Sequence, residues 1–387
     1  MLRVLTLASL FPDATRPNFG VFVERQTLGL AARPGVELRV VAPIGVPPWP
    51  LDRLSRHRAF AAVPEAEEWR GVPLRRPRFV SLPGTSGRFT AALLARRLAP
   101  LLAEMRRDFP FDVIDAEFFF PDGPAAVALG RRFGVPVSIK ARGADIHHWG
   151  QGPTRPQVAR AAREADGLLA VSQALAADVA ALGVPREKVR VHYTGVDLAR
   201  FAGTPRAEAK AALGIAGPLV ISLGALVARK GHDVAIEAVA RLPGVSLRVI
   251  GEGPERARLA ALIDRLGVAD RIALLGAVPH AELGPILAAA DVMALASASE
   301  GLANAWVEAL AAGVPIVVTD VGGAREVLTE CAFGRLAARD PAAFAEAIAG
   351  LLAAPPAPEA VRRGAERFRW ETNAEALHEH LAGLVAR

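Results

Sequence analysis

The alternation of short apolar runs with helix-length segments constrains how this chain can fold more than any other feature. In the first half, runs rich in Val, Ile and Leu are separated by segments with helical periodicity. Strands and helices that alternate at this spacing are typical of a parallel, doubly wound α/β sheet. The predicted strands are residues 3–10, 37–44, 111–117, 135–141, 167–172 and 188–193.

The second half repeats this scheme, with Gly and Pro at the joins between strands and helices. Its predicted strands are residues 218–224, 246–251, 271–276, 291–297 and 314–319. We therefore predict two Rossmann-like domains in tandem, residues 1–200 and 201–369. Residues 370–387 are amphipathic and too short for another domain, so we expect them to pack on another part of the chain.

Composition excludes several classes of protein. Of the 387 residues, 52% are hydrophobic and 22% are charged, which favours a globular protein over a disordered one. No uncharged apolar run reaches the roughly 18 residues of a membrane-spanning helix, and no export signal is visible. The single cysteine, Cys331, excludes an intrachain disulfide and a cysteine-based zinc cluster. These features predict a cytoplasmic protein.

Basic charge is concentrated in the first 200 residues, which contain 28 Lys and Arg against 19 Asp and Glu. Proteins that bind single-stranded nucleic acid interleave aromatic residues with basic ones, and these residues do not show that pattern. We therefore expect no nucleic-acid partner. Residues 87–109 place leucines on one helical face and arginines largely on the other. This helix either lies on an anionic membrane surface, at the inner face of the membrane, or packs on the core with its arginines in water. The pattern favours the second interpretation.

The stretch 297–323 contains two carboxylates next to a predicted helix. Glu300 directly follows a predicted strand, at the edge where open α/β sheets bind ligands, and Glu308 lies eight residues later. Either glutamate alone could be a solvated helix residue. Backbone amides at the start of the helix, predicted over about 302–312, suit a diphosphate. The residues that carry these amides are Gly301, Leu302 and Ala303.

The stretch 222–239 is again a strand, a loop and a helix. Lys230 lies in its loop, and lysine is rare in this chain, with four lysines against 42 arginines. With Arg229 and Gly231 it forms a compact cationic loop that could neutralise phosphate charge. A surface Arg-Lys pair is more often solvated, so the prediction depends on its combination with Glu300 and Glu308.

Together these motifs resemble the donor domain of the family 4 retaining glycosyltransferases. The resemblance lies in Lys230-Gly231, in GEGPERARL at 251–259, in AADVMALASASEG at 289–301, and in the Glu300–Glu308 spacing. It extends into the first half through residues 171–201. It implies the GT-B fold, in which two Rossmann-like domains face a central cleft. The first domain would bind the acceptor, the second the nucleotide sugar, and the last helix would cross back onto the first.

The resemblance also implies roles for individual residues. Glu300 would face the donor sugar, Glu308 the ribose hydroxyls, and Lys230 the diphosphate, helped by Arg229 and by the amides after Glu300. Gly20 would let backbone approach the donor phosphates or the acceptor. Arg142 and Asp145 complete the candidate donor-binding residues. No metal ion and no cofactor beyond the nucleotide-sugar co-substrate are implied.

Three departures from the family pattern keep an alternative open. Ala225 stands where an arginine is usual, and Glu117 and Arg142 stand where histidines are common, so no N-terminal catalytic histidine is carried over. We expect a surface or structural role for His147 and His148, and solvated side chains for His378 and His380. The predicted function is sugar transfer, with retention, to a hydroxyl of a glycan, lipid-linked or small-molecule acceptor. The alternative is an inactive, regulatory nucleotide-sugar-binding protein of the same fold.

Overall fold

The computed structural model describes residues 1–51, 59–201 and 203–387. The chain divides into two compact units. The first comprises residues 1–195 together with 370–387, and the second comprises residues 196–369. The division after residue 195 lies N-terminal of the predicted boundary after residue 200.

The first unit is built on a sheet with the strand order β10-β9-β8-β7-β1-β2-β5-β4. Its neighbouring strands are parallel except for the antiparallel pair β4 and β5, and β3 pairs separately with β6. The strands are β1 Leu2–Leu7, β2 Val36–Val41, β3 Ile44–Val46, β4 Ala66–Trp69, β5 Val72–Arg75, β6 Arg78–Val80, β7 Val113–Ala116, β8 Val137–Ala141, β9 Gly167–Ala170 and β10 Val189–Val191.

Helices cover the central strands, and β7, β8 and β9 are buried along their whole length. This burial matches the near-continuous apolar runs from which the strands were predicted. The α-helices are α1 Val21–Ala31, α2 Thr90–Met105, α3 Asp122–Phe133, α4 Arg155–Glu164 and α5 Gln173–Ala180.

The second unit contains a fully parallel sheet with the order β13-β12-β11-β14-β15-β16. Numbered within the unit, this is the order 3-2-1-4-5-6 of dinucleotide-binding Rossmann folds. The chain therefore crosses the sheet in one direction from β11 to β13 and in the opposite direction from β14 to β16, with the switch between β11 and β14. The strands are β11 Leu219–Leu223, β12 Ser246–Ile250, β13 Ile272–Gly276, β14 Val292–Leu295, β15 Ile316–Val318 and β16 Gly334–Leu336.

One core of the second unit lies between the sheet and three helices, where Val239, Leu262 and Phe344 are buried with Val249 and Ala294. The α-helices of this unit are α6 Leu198–Phe201, α7 Arg206–Ala212, α8 His232–Ala240, α9 Arg256–Leu266, α10 Leu283–Ala288, α11 Asn304–Ala311, α12 Ala324–Val327, α13 Pro341–Ala353 and α14 Pro358–Arg363. The described residues of the two units also include short helical turns. These are Ala59–Ala62, Asp145–Trp149, Gly152–Thr154, Arg186–Lys188, Ala228–Lys230, His280–Glu282, Cys331–Phe333 and Glu366–Phe368.

The last helix, α15 Trp370–Val385, belongs to the first unit and packs against α1. Leu377 and Leu381 enter the core beneath β1 and β2. The prediction that His380 is solvated is wrong, because its Nε2 lies 3.2 Å from Ser138 Oγ and burial lowers its pKa to about 4.

Each predicted strand overlaps an observed one and is usually longer than it, although β1 and β2 begin one residue before the predicted start. The strands β3 to β6 and β16 were missed, because Arg, Glu, Gly or Pro interrupts the apolar pattern of each of these short segments. The apolar face of α2, including Leu94, Leu98 and Leu102, is buried within the first unit. This confirms the interpretation of α2 as a core-packed helix, and the same leucines cannot also contact a membrane.

Candidate active site

Two loops of the second unit meet where the path of the chain through the sheet reverses. Strand β11 is bonded on one side to β12 and on the other to β14. In open α/β sheets, ligands bind outside the carboxyl ends of the strands at such a switch point. Lys230 lies in the loop after β11, and Glu300 lies in the loop after β14. The sheet order therefore brings together two predicted residues that are 70 positions apart.

Lys230 and Glu300 are in direct contact. The Lys230 Nζ lies 2.5 Å from Glu300 Oε1, which also accepts a hydrogen bond from Ser297 Oγ at 2.7 Å. Both charged side chains are largely buried, with 13% and 8% exposed. Arg229 is more open at 44%, and its Nη1 lies 3.9 Å from Glu300 Oε2. One carboxylate thus holds two neighbouring cations at the carboxyl edge of the sheet.

Backbone packing sets this geometry. Gly231 has φ +66°, and a Cβ there would lie 2.1 Å from the carbonyl oxygen of Ala296. The amide of Ala298 donates to Arg229 O at 2.7 Å. Arg339 joins the loops again, with Nε donating to Ala296 O at 2.8 Å and Nη2 to Ala228 O at 2.9 Å. The close approach therefore requires glycine at position 231.

His232 lies beside this pair as a neutral side chain. Its Nε2 lies 3.2 Å from the carbonyl oxygen of Ala225, which can only accept, so Nε2 carries the proton. Its Nδ1, at 2.8 Å, then accepts from Ser222 Oγ. Burial lowers the pKa of His232 to about 4, and the charge of Lys230 acts in the same direction. His232 was not among the predicted site residues, although it follows Lys230-Gly231 at the start of α8.

The loop after Glu300 continues for longer than predicted before the helix begins. Helix α11 starts at Asn304, so Gly301, Leu302 and Ala303 are buried residues of the preceding loop rather than its first turn. Two glycines support this loop. The Gly323 amide donates to Gly301 O at 2.8 Å, and a Cβ on Gly322, at φ +52°, would lie 2.2 Å from Glu300 O.

Glu308 lies on α11, outside the Lys230 and Glu300 cluster. Its Oε1 is 2.7 Å from Nε2 of His280, which comes from the loop after β13. The Glu308 side chain is 12% exposed. The structure therefore gives each of the two predicted glutamates its own basic partner in the second unit.

The remaining predicted residues belong to the first unit, and two of them have buried partners there. Arg142 forms an ion pair with Glu117 and donates from Nε to Glu117 O at 2.8 Å. Asp145 is fully buried and accepts the amides of Phe119 at 2.9 Å and Gly143 at 2.8 Å. Both residues hold the loop after β8, and the buried Nη1 of Arg142 has no hydrogen-bond partner among the described residues.

Gly20 precedes α1 and has φ +71°. A Cβ there would lie 2.4 Å from the carbonyl oxygen of Leu10, so the turn requires glycine for internal packing. His147 lies at the surface, with Nε2 2.9 Å from Asp178 Oδ2. His148 packs edge-on against Trp149, with ring centroids 4.7 Å apart.

A buried polar network beside β8 was not anticipated. Lys140 is fully buried and contacts Gln26 Oε1 and, at 2.7 Å, His192 Nδ1. His192 Nε2 in turn donates to Asn373 O at 2.8 Å. Burial lowers the pKa of Lys140 well below its ordinary value, and it lowers that of His192 as well. The signal for this network was a lysine inside a strand predicted to be apolar.

Two further findings bear on the class of site. Among the residues that the structure describes, no group of three His, Cys, Asp or Glu side chains is arranged to hold a metal ion. Within the same part of the chain, no helix combines the length and apolarity needed to cross a membrane.

Comparison with known proteins accounts for both halves of the chain. The family described as "Glycosyltransferase Family 4" matches residues 20–200, and "Glycosyl transferases group 1" matches residues 205–368. A colanic acid biosynthesis glycosyltransferase of Escherichia coli, WcaL, is 32% identical over 74% of this chain and 73% of its own. The chain belongs to glycosyltransferase family 4. It is an enzyme of the group 1 glycosyltransferases, with mixed α/β architecture and parallel sheets in two domains.

Two further proteins place this family 4 glycosyltransferase among its relatives. The teichuronic acid biosynthesis glycosyltransferase TuaC of Bacillus subtilis is 29% identical over 90% of this chain and 88% of its own length. The structure of Anabaena HepE in complex with UDP-glucose superimposes with a TM-score of 0.76. It covers 99% of this chain and 100% of HepE at 21% identity, which shows a shared GT-B fold.

Proposed function

We propose that this enzyme transfers a sugar from a nucleoside diphosphate sugar to a hydroxyl acceptor, with retention of anomeric configuration and without a metal ion. The observation that carries this proposal is the contact between Lys230 and Glu300 at the switch point of the second sheet. A cation at that edge, with a second cation beside it, can neutralise the charge that develops on a departing diphosphate.

The donor would occupy the carboxyl edge of the second sheet. Lys230 and the more exposed Arg229 would contact the diphosphate, and Arg229 would supply the charge that Ala225 does not. Binding of the diphosphate would exchange part of the Lys230 contact with Glu300 for a contact with phosphate. Glu300 then accepts from hydroxyls of the donor sugar, and Glu308 accepts from the ribose.

The chemical step needs little covalent chemistry from the protein. The bond from the anomeric carbon to the diphosphate oxygen breaks, and the acceptor oxygen forms its bond on the same face. The acceptor proton passes to the departing diphosphate, so that the products are the glycoside and the nucleoside diphosphate. Lys230 stabilises the leaving group, and the carboxylates hold the sugar and ribose in place.

The acceptor is proposed to bind in the first unit and to be a glycan, free or lipid-linked. The names of TuaC and WcaL, which refer to teichuronic and colanic acid biosynthesis, support a glycan acceptor. An inactive nucleotide-sugar binder is the second candidate, because Ala225 and the Glu117–Arg142 pair replace residues usual in the family.

The test starts from binding and proceeds to turnover. The purified chain is heated with UDP-, GDP-, ADP- and dTDP-sugars in the presence of EDTA, and the donor that raises Tm is incubated with glycan acceptors. Mass spectrometry measures sugar transfer, and NMR of the product measures anomeric configuration. Stabilisation and a retained product support the proposal. Stabilisation without turnover across acceptors favours the inactive binder, an inverted product contradicts retention, and no stabilisation contradicts the donor site.

A matched control separates chemistry from folding. Lys210 forms a 2.6 Å pair with Asp291 in the same unit, at the opposite end of β11 and β14. Its side chain is 18% exposed, close to the 13% of Lys230. Lys210→Ala therefore removes a similar ion pair away from the donor edge. The donor site requires that Lys230→Ala abolish transfer and that Lys210→Ala leave it measurable.

A further inference from the structure

His280 connects Glu308 to an arginine through its two ring nitrogens. Its Nε2 lies 2.7 Å from Glu308 Oε1, and its Nδ1 lies 2.9 Å from Nη1 of Arg200. The three residues come from the short turn after β13, from α11 and from α6, all in the second unit. No sequence motif linked them, since 80 positions separate Arg200 from His280.

The partners of His280 determine where its proton lies. A guanidinium group only donates hydrogen bonds, so Nδ1 must accept from Arg200. The proton of the neutral imidazole is then on Nε2, which donates to Glu308 Oε1. Arg200 is itself held by Asp197, whose Oδ1 accepts the Arg200 amide at 3.1 Å and whose Oδ2 lies 3.7 Å from Arg200 Nε. The chain of contacts from Asp197 to Glu308 thus favours one tautomer of His280.

The imidazole is also fixed by packing. Its ring lies edge-on to Phe201, with centroids 6.2 Å apart and an interplanar angle of 89°. His280 is 22% exposed and Glu308 12% exposed, so the hydrogen bond between them is partly shielded from water. A donor held in one orientation fixes the plane of the carboxylate that accepts from it.

We propose that His280 is a positioning residue for nucleotide recognition: it engages Oε1 of Glu308 and so directs Oε2 to accept from a ribose hydroxyl. This inference rests on the proposed function, since it assigns the ribose of the donor to Glu308. It predicts that discrimination between ribonucleotides and deoxyribonucleotides depends on His280 as well as on Glu308. A buried acceptor built for a hydroxyl rejects the analogue that lacks it.

Two substitutions separate positioning from packing. His280→Phe keeps a ring against Phe201 and removes the donor to Glu308. His280→Gln keeps a terminal N–H that can reach Glu308. Glu308→Gln changes the acceptor itself and serves as the reference for losing the ribose contact.

The experiment measures Kd by titration calorimetry with the full-length chain. UDP, GDP and ADP are tested first, and the one that binds is compared with its 2′-deoxy and 3′-deoxy forms. We expect His280→Phe to weaken ribonucleotide binding about 10-fold, the loss of a hydrogen bond to a charged group. The deoxynucleotide that lacks the contacted hydroxyl should bind the variant and the unaltered chain equally. His280→Gln should recover most of the loss, and His280→Phe should add nothing to Glu308→Gln.

Four results would overturn the inference, and they differ in what else they overturn. If His280→Phe binds the ribonucleotide as the unaltered chain does, while Glu308→Gln weakens it, only the role of His280 is rejected. Equal weakening of ribo and deoxy forms by His280→Phe assigns His280 a structural role only. If the unaltered chain binds dTDP but none of the three ribonucleoside diphosphates, only this inference is rejected. If it binds none of the four, both this inference and the proposed function are rejected.

Discussion

The carboxyl edges of the two parallel sheets use charged side chains in different ways. In the first unit, Glu117, Lys140 and Asp145 are at most 1% exposed and bond to other protein groups. In the second unit, Arg229 is 44% exposed, and both Arg229 and Lys230 contact the same carboxylate, that of Glu300. The same edge of the same type of sheet is therefore an internal network in one unit and an accessible cationic site in the other.

This difference follows from the cost of burying charge. A buried charge is tolerated only when it is paired or when its pKa shifts to the neutral form. The first unit uses both solutions, with the Arg142–Glu117 pair and with burial that lowers the pKa of Lys140. Cations that must exchange a protein carboxylate for a ligand phosphate need a route to the ligand, which the half-open Arg229 beside the largely buried Lys230 provides. We expect substitutions in the two edges to change different measured quantities.

The largest effect should come from Lys230→Ala. Loss of the cation that stabilises the departing diphosphate should lower kcat by at least about 10³-fold, as for other single cations at transferring phosphates. The measurement is initial rate of transfer at saturating donor, with Lys210→Ala as the matched control. Similar transfer rates for Lys230→Ala and Lys210→Ala would contradict the donor site proposed at the carboxyl edge of the second sheet.

Arg142→Met should destabilise the chain by about 4 kcal/mol, because Glu117 is left as an unpaired buried charge. Urea denaturation measures this loss, and KM for the donor should stay unchanged. The control is Arg131→Met, which breaks an exposed pair with Glu164 at 3.0 Å and should cost at most about 1 kcal/mol. A raised donor KM with normal stability would instead make Arg142 a ligand-binding residue.

Gly231→Ala should cost about 3 kcal/mol, from a positive φ combined with a forced displacement of the loop at Ala296. Gly267 provides the comparison, since its φ of +67° is nearly the same and nothing lies within 4 Å of an added Cβ. Gly267→Ala should cost only about 1 kcal/mol and leave transfer intact. Equal free energies of unfolding for the two variants would show that the contact between the two loops is not tight.

The smallest effect concerns the loss of folding stability in acid. We expect one buried histidine in each unit to contribute to this loss. Burial lowers the pKa of His232 and of His380 to about 4 from the ordinary 6.5. The unfolded chain therefore binds protons between pH 6.5 and 4 that the folded chain does not. The corresponding stability is complete above pH 6.5 and is lost as the pH falls towards 4.

We expect His232→Gln and His380→Gln each to remove about 2 kcal/mol of the difference in unfolding free energy between pH 7.5 and pH 5. Asp122 acts in the opposite direction in the first unit, because burial raises its pKa to about 7. Denaturation at the two pH values measures the difference. If the free energy of unfolding of each variant changes with pH as much as that of the unaltered chain, the histidines do not cause the acid sensitivity.

Local sequence patterns predicted most of the strands well because those signals lie within a few residues. Apolar runs marked the buried strands. Lys230 was singled out as a rare lysine in the loop between such a run and a helix, and Glu300 from the loop after another. The strands β4 to β6 carried no comparable pattern, since about half of residues 66–80 are Arg, Glu and Pro. Arg142 and Asp145 were assigned to donor binding from the family resemblance, and the sequence did not show that both groups have buried protein partners.

By itself, the sequence determined that this chain builds two parallel α/β units and that cationic and acidic groups follow particular strands. Tertiary structure alone decided that β11 lies beside β14, which brings Lys230 to Glu300 and leaves Arg200, His280 and Glu308 in one chain of contacts. The physical reason is the distance along the chain over which each effect acts. Hydrophobic periodicity acts between near neighbours in the chain, whereas strand order, burial of charge and the tautomer of a histidine depend on groups tens of residues apart.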